Sequence, residues 1–317
     1  MRIHRKGAAG AMILALLLLA GACGKSGGSS NKNAGGATTT STAAKPSFVI
    51  ASFNFGESDV LAQMYGQALA KAGYTVSYKK QLGTREIVEP ALKNKDVDLI
   101  PEYLGNALDF LAKDQVAAGD DVATQATKLN TALQANGAIA LTPSNATDGD
   151  VIAVTLATAN RYSLQKISDL ATKVPRGTLT MGGPSECETR TTCYKGLTEV
   201  YGIKFKSFKA LDAGGKTTKT ALDNTTVQVA RLFSADPDIK TKHYVLLDDD
   251  KKIQLAGNIV PAIRADKATD EVKTILNRVS ASITTDELIA LDTKVYVDLA
   301  DASVVARDFL NSKSLLS

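Results

Sequence analysis

The sequence predicts an α/β fold in two lobes, and three observations carry that prediction. Short apolar runs of strand type alternate with amphipathic helical stretches, as in a parallel or mixed sheet covered on both faces. A second set of such units begins near Val151, after a first set is already complete. Once the first 46 residues are set aside, about 270 remain, enough for one large domain or two of ordinary size.

Residues 47–51 (SFVIA) read as a strand, followed by a loop at 52–58 and an amphipathic helix over 59–72 that Gly73 ends. Residues 74–79 alternate in strand fashion. Thr84 suits the N-cap of the next helix, with Arg85 and Glu86 in its first turn. Residues 97–100 form another strand, which runs into a loop at 101–106. In sheets of this kind ligands sit beyond the carboxyl ends of the strands, where the loops 52–58 and 101–106 fall. The second set takes strands at 151–155, 179–181, 205–208 and 227–233 and helices near 167–172 and 216–222. Segments 142–150 and 254–261 are the expected crossings between lobes. Helices at 270–282 and 286–294 are expected to return to the first lobe. The resulting partition is 1–22 signal peptide, 23–46 tether, 47–145 with 256–317 as lobe 1, and 146–255 as lobe 2.

The chain opens with Arg2, Arg5 and Lys6, continues with an apolar run over 8–20, and reaches Leu-Ala-Gly-Ala-Cys at 19–23. A run of about 13 apolar residues falls short of the roughly 20 that span a bilayer as a helix, so it reads as a cleaved lipoprotein signal. Cys23 would then carry the lipid, and more than one acyl chain holds a soluble domain durably to a membrane. Residues 24–46 are rich in Gly, Ser, Thr and Asn, a composition that cannot bury enough surface to fold. The expected location is therefore extracytoplasmic, on the outer face of the cell membrane.

The formal charge is +4, but the signal and tether hold much of the excess, and nothing suggests nucleic acid binding. Export to an oxidising compartment makes Cys187 and Cys193 candidates for a local disulfide. A metal site is the rival, and it lacks partners: the two histidines are His4, in the signal, and His243. No catalytic constellation stands out. There is no phosphate-binding glycine loop, no dinucleotide fingerprint and no companion for a Ser-His-Asp arrangement. The expectation is a protein without catalytic residues, metal or cofactor.

Gly83-Thr84-Arg85-Glu86, and above all Asp98-Leu99-Ile100-Pro101-Glu102-Tyr103-Leu104-Gly105-Asn106, carry a resemblance to the solute-binding proteins of ABC importers for glycine betaine, carnitine, choline and related amines. It continues through Gly182-Gly183-Pro184, Asp212-Ala213-Gly214-Gly215, Phe233-Ser234-Ala235-Asp236 and Val260-Pro261. The resemblance implies the two-lobed periplasmic-binding-protein-like fold of type II, with two hinge crossovers and a ligand enclosed in the cleft. It implies a pairing of Cys187 with Cys193, since relatives carry two cysteines after Gly-Gly-Pro. It also implies delivery of the solute to permease subunits, by a monomer.

Members of that family hold a trimethylammonium group among aromatic faces. By resemblance, Tyr103 is the cage tyrosine, and Asn54, Phe55, Thr84 and Asn106 lie in loops that contact ligand. Where relatives place further tyrosines, this chain has Asp150 and, near the Asp-Ala-Gly-Gly turn, Thr217 and Thr218. Asp150 could neutralise a cation directly, which would suit choline better than a zwitterion, or it could flank the hinge without touching ligand. Phe233 could supply a replacement aromatic wall, and Arg190 and Lys216 are candidates for an anionic group. The alternatives are the same fold binding another small solute, such as an amino-acid derivative, or a secreted enzyme.

Overall fold

The structure, a computed structural model, describes residues 45–117 and 120–317. The signal, Cys23 and nearly all of the tether lie outside the described residues. Among the described residues no helix is long and apolar enough to cross a membrane.

Two five-stranded sheets organise the chain. The first contains β1 (Ser47–Phe53), β2 (Thr75–Gly83), β3 (Leu99–Tyr103), β4 (Ala138–Ala140) and, from far along the chain, β10 (Ile259–Arg264), in the order β2-β1-β3-β10-β4. The second contains β5 (Asp150–Val154), β6 (Thr180–Gly183), β7 (Ser207–Ala210), β8 (Val229–Phe233) and β9 (Val245–Leu247), in the order β7-β6-β8-β5-β9. Each sheet joins three parallel strands to two antiparallel pairings through one reversed strand, β10 in the first and β5 in the second.

Burial explains why these runs became strands. All five residues of β3 are buried, as befits a strand covered on both faces. The expected loop at 101–106 is corrected here: Pro101, Glu102 and Tyr103 complete β3, and the helix Leu104–Leu111 follows directly. Proline is normally excluded from a central strand. Here Pro101 sits opposite Pro261 in the antiparallel ladder. Directly opposed residues alternate between bonded and non-bonded pairs, and two prolines with no N–H satisfy the non-bonded kind.

The helix Gly56–Lys71 covers the first sheet and is itself covered by helices Asp270–Ala281 and Ala302–Ser312. Tyr65 Oη and Ser280 Oγ lie 3.0 Å apart in the buried interior, and Gln67 Nε2 donates to the Ser303 carbonyl at 2.9 Å. The C-terminal quarter thus returns to the first sheet, which takes strands from both ends of the chain. The second sheet is covered on both faces, by Ile152, Val154, Met181, Leu197 and Val229 on one and by Ala153, Leu222, Ala230, Leu232 and Tyr244 on the other. The expected crossing at 254–261 is corrected at its end, since residues 259–261 belong to β10. β4, β9 and the helices Val122–Gln134, Leu156–Tyr162 and Ala302–Ser312 were not foreseen from the sequence. The two strands are only three residues long.

The crossings 141–149 and 248–258 run side by side. Ser144 N donates to Ile259 O at 2.8 Å and Asp148 N to Gly257 O at 2.9 Å. A Cβ on Gly257 would come within 2.2 Å of Gly149 N, so the two backbones touch with no side chain between them.

Cys187 and Cys193 form a disulfide, with Cα atoms 5.2 Å apart and both side chains buried in the core of the second sheet. Closing so short a loop stabilises by about 2 kcal/mol on the chain-entropy account. Mild reduction should therefore lower the urea midpoint of the intact protein, and a Cys187→Ala/Cys193→Ala variant should match the reduced form.

Candidate functional site

The carboxyl ends of β1 and β3 face the second sheet across a cleft that holds two adjoining cavities. The larger, about 270 Å³, has aromatic walls in Phe55, Phe233 and Tyr296 and carboxylates in Glu57, Asp148 and Asp292. The smaller, about 40 Å³, is bounded by Phe53, Thr84, Tyr103, Asn106, Arg190 and Arg231. Asn54, Phe55, Ala213 and Phe233 line both, so one group of residues divides a continuous site.

Aromatic rings from both lobes meet at that divide. The Phe55 and Phe233 centroids are 5.4 Å apart, Tyr103 and Phe233 6.3 Å, and Phe55 and Tyr103 5.9 Å. Phe53 stacks behind Phe55 at 5.9 Å. Tyr103 is fully buried, and its hydroxyl donates to Glu57 Oε1. It lines the smaller cavity, while the walls of the larger one are phenylalanines and Tyr296.

Backbone delivery is specific. Glu57 sits in the first turn of the helix Gly56–Lys71, whose N-terminus carries no side-chain cap of the usual Ser or Asp kind. Its own N–H donates to the Tyr296 hydroxyl at 3.0 Å, while Ser58 Oγ accepts from Phe53 N at 2.9 Å. Burial pushes the Glu57 carboxyl well above the ordinary range, and the neighbouring Asp292 adds to it. Asp148 and Asp292 move the same way, again first through burial, with the charge of Glu57 adding to the rise at Asp148 and the charge of Asp148 adding to that at Asp292. Glu57 Oε2 and Asp292 Oδ1 have no hydrogen-bond partner among the described residues.

Asp150 is placed differently from the role considered for it. Its carboxylate accepts from Arg231 in a buried ion pair and from Asn106 Nδ2 at 3.2 Å, so it is not free to neutralise a cationic ligand. The pairing is across the sheet, since Asp150 opposes Phe233 and Arg231 stands two residues before it on β8. The Arg231 guanidinium lies 3.7 Å from the Phe233 centroid, and its Nη1, buried and bordering the smaller cavity, has no partner among the described residues.

Thr217 lies outside both cavities: it is exposed, its N–H donates to Asp212 at 2.9 Å, and it borders a separate groove with Lys216. Thr84 occupies the N-cap position of the helix Arg85–Lys93 without a side-chain cap bond, and it borders the smaller cavity. Arg190 is held by Glu86 at 2.9 Å, an ion pair between the two lobes. Thr191 Oγ1 donates to Asp109 across the same divide at 3.0 Å. Among the described residues no cluster of His, Cys, Asp or Glu is disposed to hold a metal ion.

A family model described as the substrate binding domain of ABC-type glycine betaine transport systems matches residues 46–312. The chain belongs to that family. The family is a solute-binding component of transporters, and it accounts for the two-sheet architecture. The glycine betaine-binding protein YehZ of Escherichia coli K12 is 28% identical over 267 residues, spanning 81% of this chain and 87% of that one. The glycine-betaine-binding protein of Pseudomonas aeruginosa is 24% identical over 278 residues, 84% of this chain and 88% of the other. Among solved structures, a glycine betaine/carnitine/choline ABC transporter protein superposes with a TM-score of 0.66 at 22% identity, covering 85% of this chain and all (100%) of that one, a likeness of fold.

Within this family frame, five site residues escaped the reading of the sequence: Glu57, Asp148, Asp292, Tyr296 and Arg231. Arg231 had a local signal, a charged residue inside the apolar run Val229–Phe233, where an unpaired charge would be costly. Glu57 was read as part of the loop 52–58, whereas the helix begins at Gly56 and places it in the first turn, where an acid ordinarily complements the helix dipole. Asp292 and Tyr296 lie more than 200 residues away and reach the site only through the C-terminal return.

Proposed function

We propose that this protein is the extracytoplasmic solute-binding component of an ABC importer, that it encloses a quaternary-ammonium osmolyte between its lobes, and that it performs no covalent chemistry. The observation that carries the reading is the larger cavity: aromatic side chains from both lobes line it together with buried carboxylates, and Glu57 Oε2 and Asp292 Oδ1 lack partners among the described residues. A tetraalkylammonium ion has no N–H to donate, so it is recognised by aromatic faces and by diffuse negative charge, and this site offers both. Family membership supports the same reading, as do the names of the two relatives, which carry glycine betaine.

Where the solute also bears a carboxylate, Arg231 Nη1 is the donor placed to receive it at the smaller cavity. Asn54, Phe55 and Phe233 would then lie along the guest, and Tyr103 would support them from behind. Thr84 and Asn106 would border the anionic end. A cleaved signal, lipidation at Cys23 and transfer to permease subunits by a monomer complete the proposal. The lobe boundaries proposed are 47–145 with 256–317, and 146–255.

Thermal unfolding with glycine betaine, choline, carnitine and several amino acids tests it. A guest at about 100 times its dissociation constant should add about 2.7 kcal/mol of stability. Phe233→Ala should weaken binding of the best guest by roughly tenfold or more, since it removes a wall shared by both cavities, each cation–π contact being worth about 0.5 to 2 kcal/mol. Stabilisation by amino acids alone would favour the other solute class, and no shift with any of these compounds would overturn the reading.

A further inference from the structure

We propose that the cavity bounded by Glu57, Asp148 and Asp292 is a cation-for-proton exchange site, in which the fixed charge of a quaternary amine replaces a proton that these carboxylates share in the free protein. The inference rests on the reading above for the class of guest.

The geometry leaves the carboxylates short of positive charge. Glu57 comes from the first turn of the helix Gly56–Lys71, Asp148 from the first crossing, and Asp292 from the end of the helix Thr285–Asp292, and all three are at most 3% exposed. Asp148 Oδ1 accepts from Ala235 N at 2.6 Å. Glu57 Oε1 is taken by the Tyr103 hydroxyl on β3. Glu57 and Asp292 line the cavity, and Glu57 Oε2 and Asp292 Oδ1 are buried with no donor among the described residues. These two buried oxygens, together with the aromatic walls, distinguish the place from an ordinary acidic cluster.

The cations nearby are already committed. Lys219, in the helix Lys216–Asp223, lines the same cavity with its Nζ 5.7 Å from the Tyr296 centroid, but it is bound by Asp236 at 2.9 Å and Asp238 at 2.8 Å, so one ammonium is shared between two other carboxylates. Arg231 is held by Asp150. From the short π-helix Thr293–Val297 comes the Tyr296 hydroxyl, which accepts from Glu57 N rather than supplying charge. Buried carboxylates in contact and without a counter-ion take up a proton instead of ionising together. The three titrate as a unit, so the exchanged proton belongs to the cluster and not to one residue. When the ammonium enters, it supplies the missing charge, an O–H bond of a carboxylic acid breaks, and the proton leaves to solvent buffer.

The sign of the pH effect follows. The folded-state values of Glu57, Asp148 and Asp292 are raised by burial and mutual repulsion above ordinary values of 4.5 and 3.8. Their contribution to the stability of the guest-free protein is therefore fully present below about pH 4 and is lost as pH rises through the raised values. Binding of a cation runs the other way, strengthening as the proton becomes easier to release.

Isothermal calorimetry with glycine betaine and with choline, in two buffers of different ionisation heat from about pH 5.5 to 8, reads the exchange directly. The expected result is a buffer-dependent heat equal to release of up to about one proton per guest, with affinity falling by up to about tenfold for each pH unit of acidification. Glu57→Gln and Asp292→Asn, made separately so that one folding failure does not decide the matter, should each reduce the proton release and flatten the pH profile. Binding with identical heats in both buffers and a constant affinity across the range would overturn the exchange and leave the solute-binding reading standing. No heat with either compound at any pH would overturn both.

Discussion

Arg231→Met should destabilise the protein by about 3 to 5 kcal/mol, because it leaves the Asp150 carboxylate buried with Asn106 as its remaining side-chain donor. The cost comes from an uncompensated charge rather than from lost packing, since methionine can still lie against Phe233. A double variant, Arg231→Met with Asp150→Asn, should recover most of the loss in urea denaturation. Binding supplies the second readout. The free Nη1 offers a charge-assisted hydrogen bond worth about 1.5 to 3 kcal/mol to a ligand carboxylate. In the rescued double variant glycine betaine should therefore bind at least about tenfold more weakly, while choline, which has no carboxylate, should be little changed. Equal losses for both compounds would remove Arg231 from the recognition of an anionic end.

A comparable loss is expected at the other lobe. Arg85 donates through Nε and Nη2 to the two oxygens of Glu102, both at 2.8 Å, with the carboxylate fully buried. Glu102 in turn accepts from Tyr103 N at 2.8 Å, and the guanidinium lies 4.9 Å from the Phe53 centroid. This pair thus fixes the end of β3 and the ring that backs Phe55. Arg85→Met should cost about 3 to 5 kcal/mol by stranding Glu102, and Arg85→Met with Glu102→Gln should restore most of it. If the single variant unfolds at the wild-type urea midpoint, the pair does not hold the site as described.

The alternation of strands and helices was legible in the sequence because apolar period and punctuation are local signals. Two lobes were legible from length and from the restart near Val151. The strand β3 was read short at its end, because Pro101 and Glu102 look like loop residues. Only the facing Pro261 and the buried Arg85 explain how they sit inside a sheet. Phe55, Tyr103, Asn106 and Phe233 were brought together at the cleft, and each lies in or beside a strand end that local pattern could locate. The acids at 57, 148 and 292 were not read as a group, since three separate elements must fold before they become neighbours. The two roles considered for Asp150 stayed open for the same reason: its partner, Arg231, is 81 residues away.

The bare contact between Gly149 and Gly257 carries a mechanical consequence. At that point the two main chains meet with no side chain to interlock, and the nearby side-chain tie is Asn258 Nδ2 on the Ser144 carbonyl at 2.9 Å, so rotation there is opposed chiefly by torsional stiffness. Retention of cargo must then be governed at the rim, where the Arg190 and Glu86 clasp and the Thr191 to Asp109 bond fasten one jaw to the other.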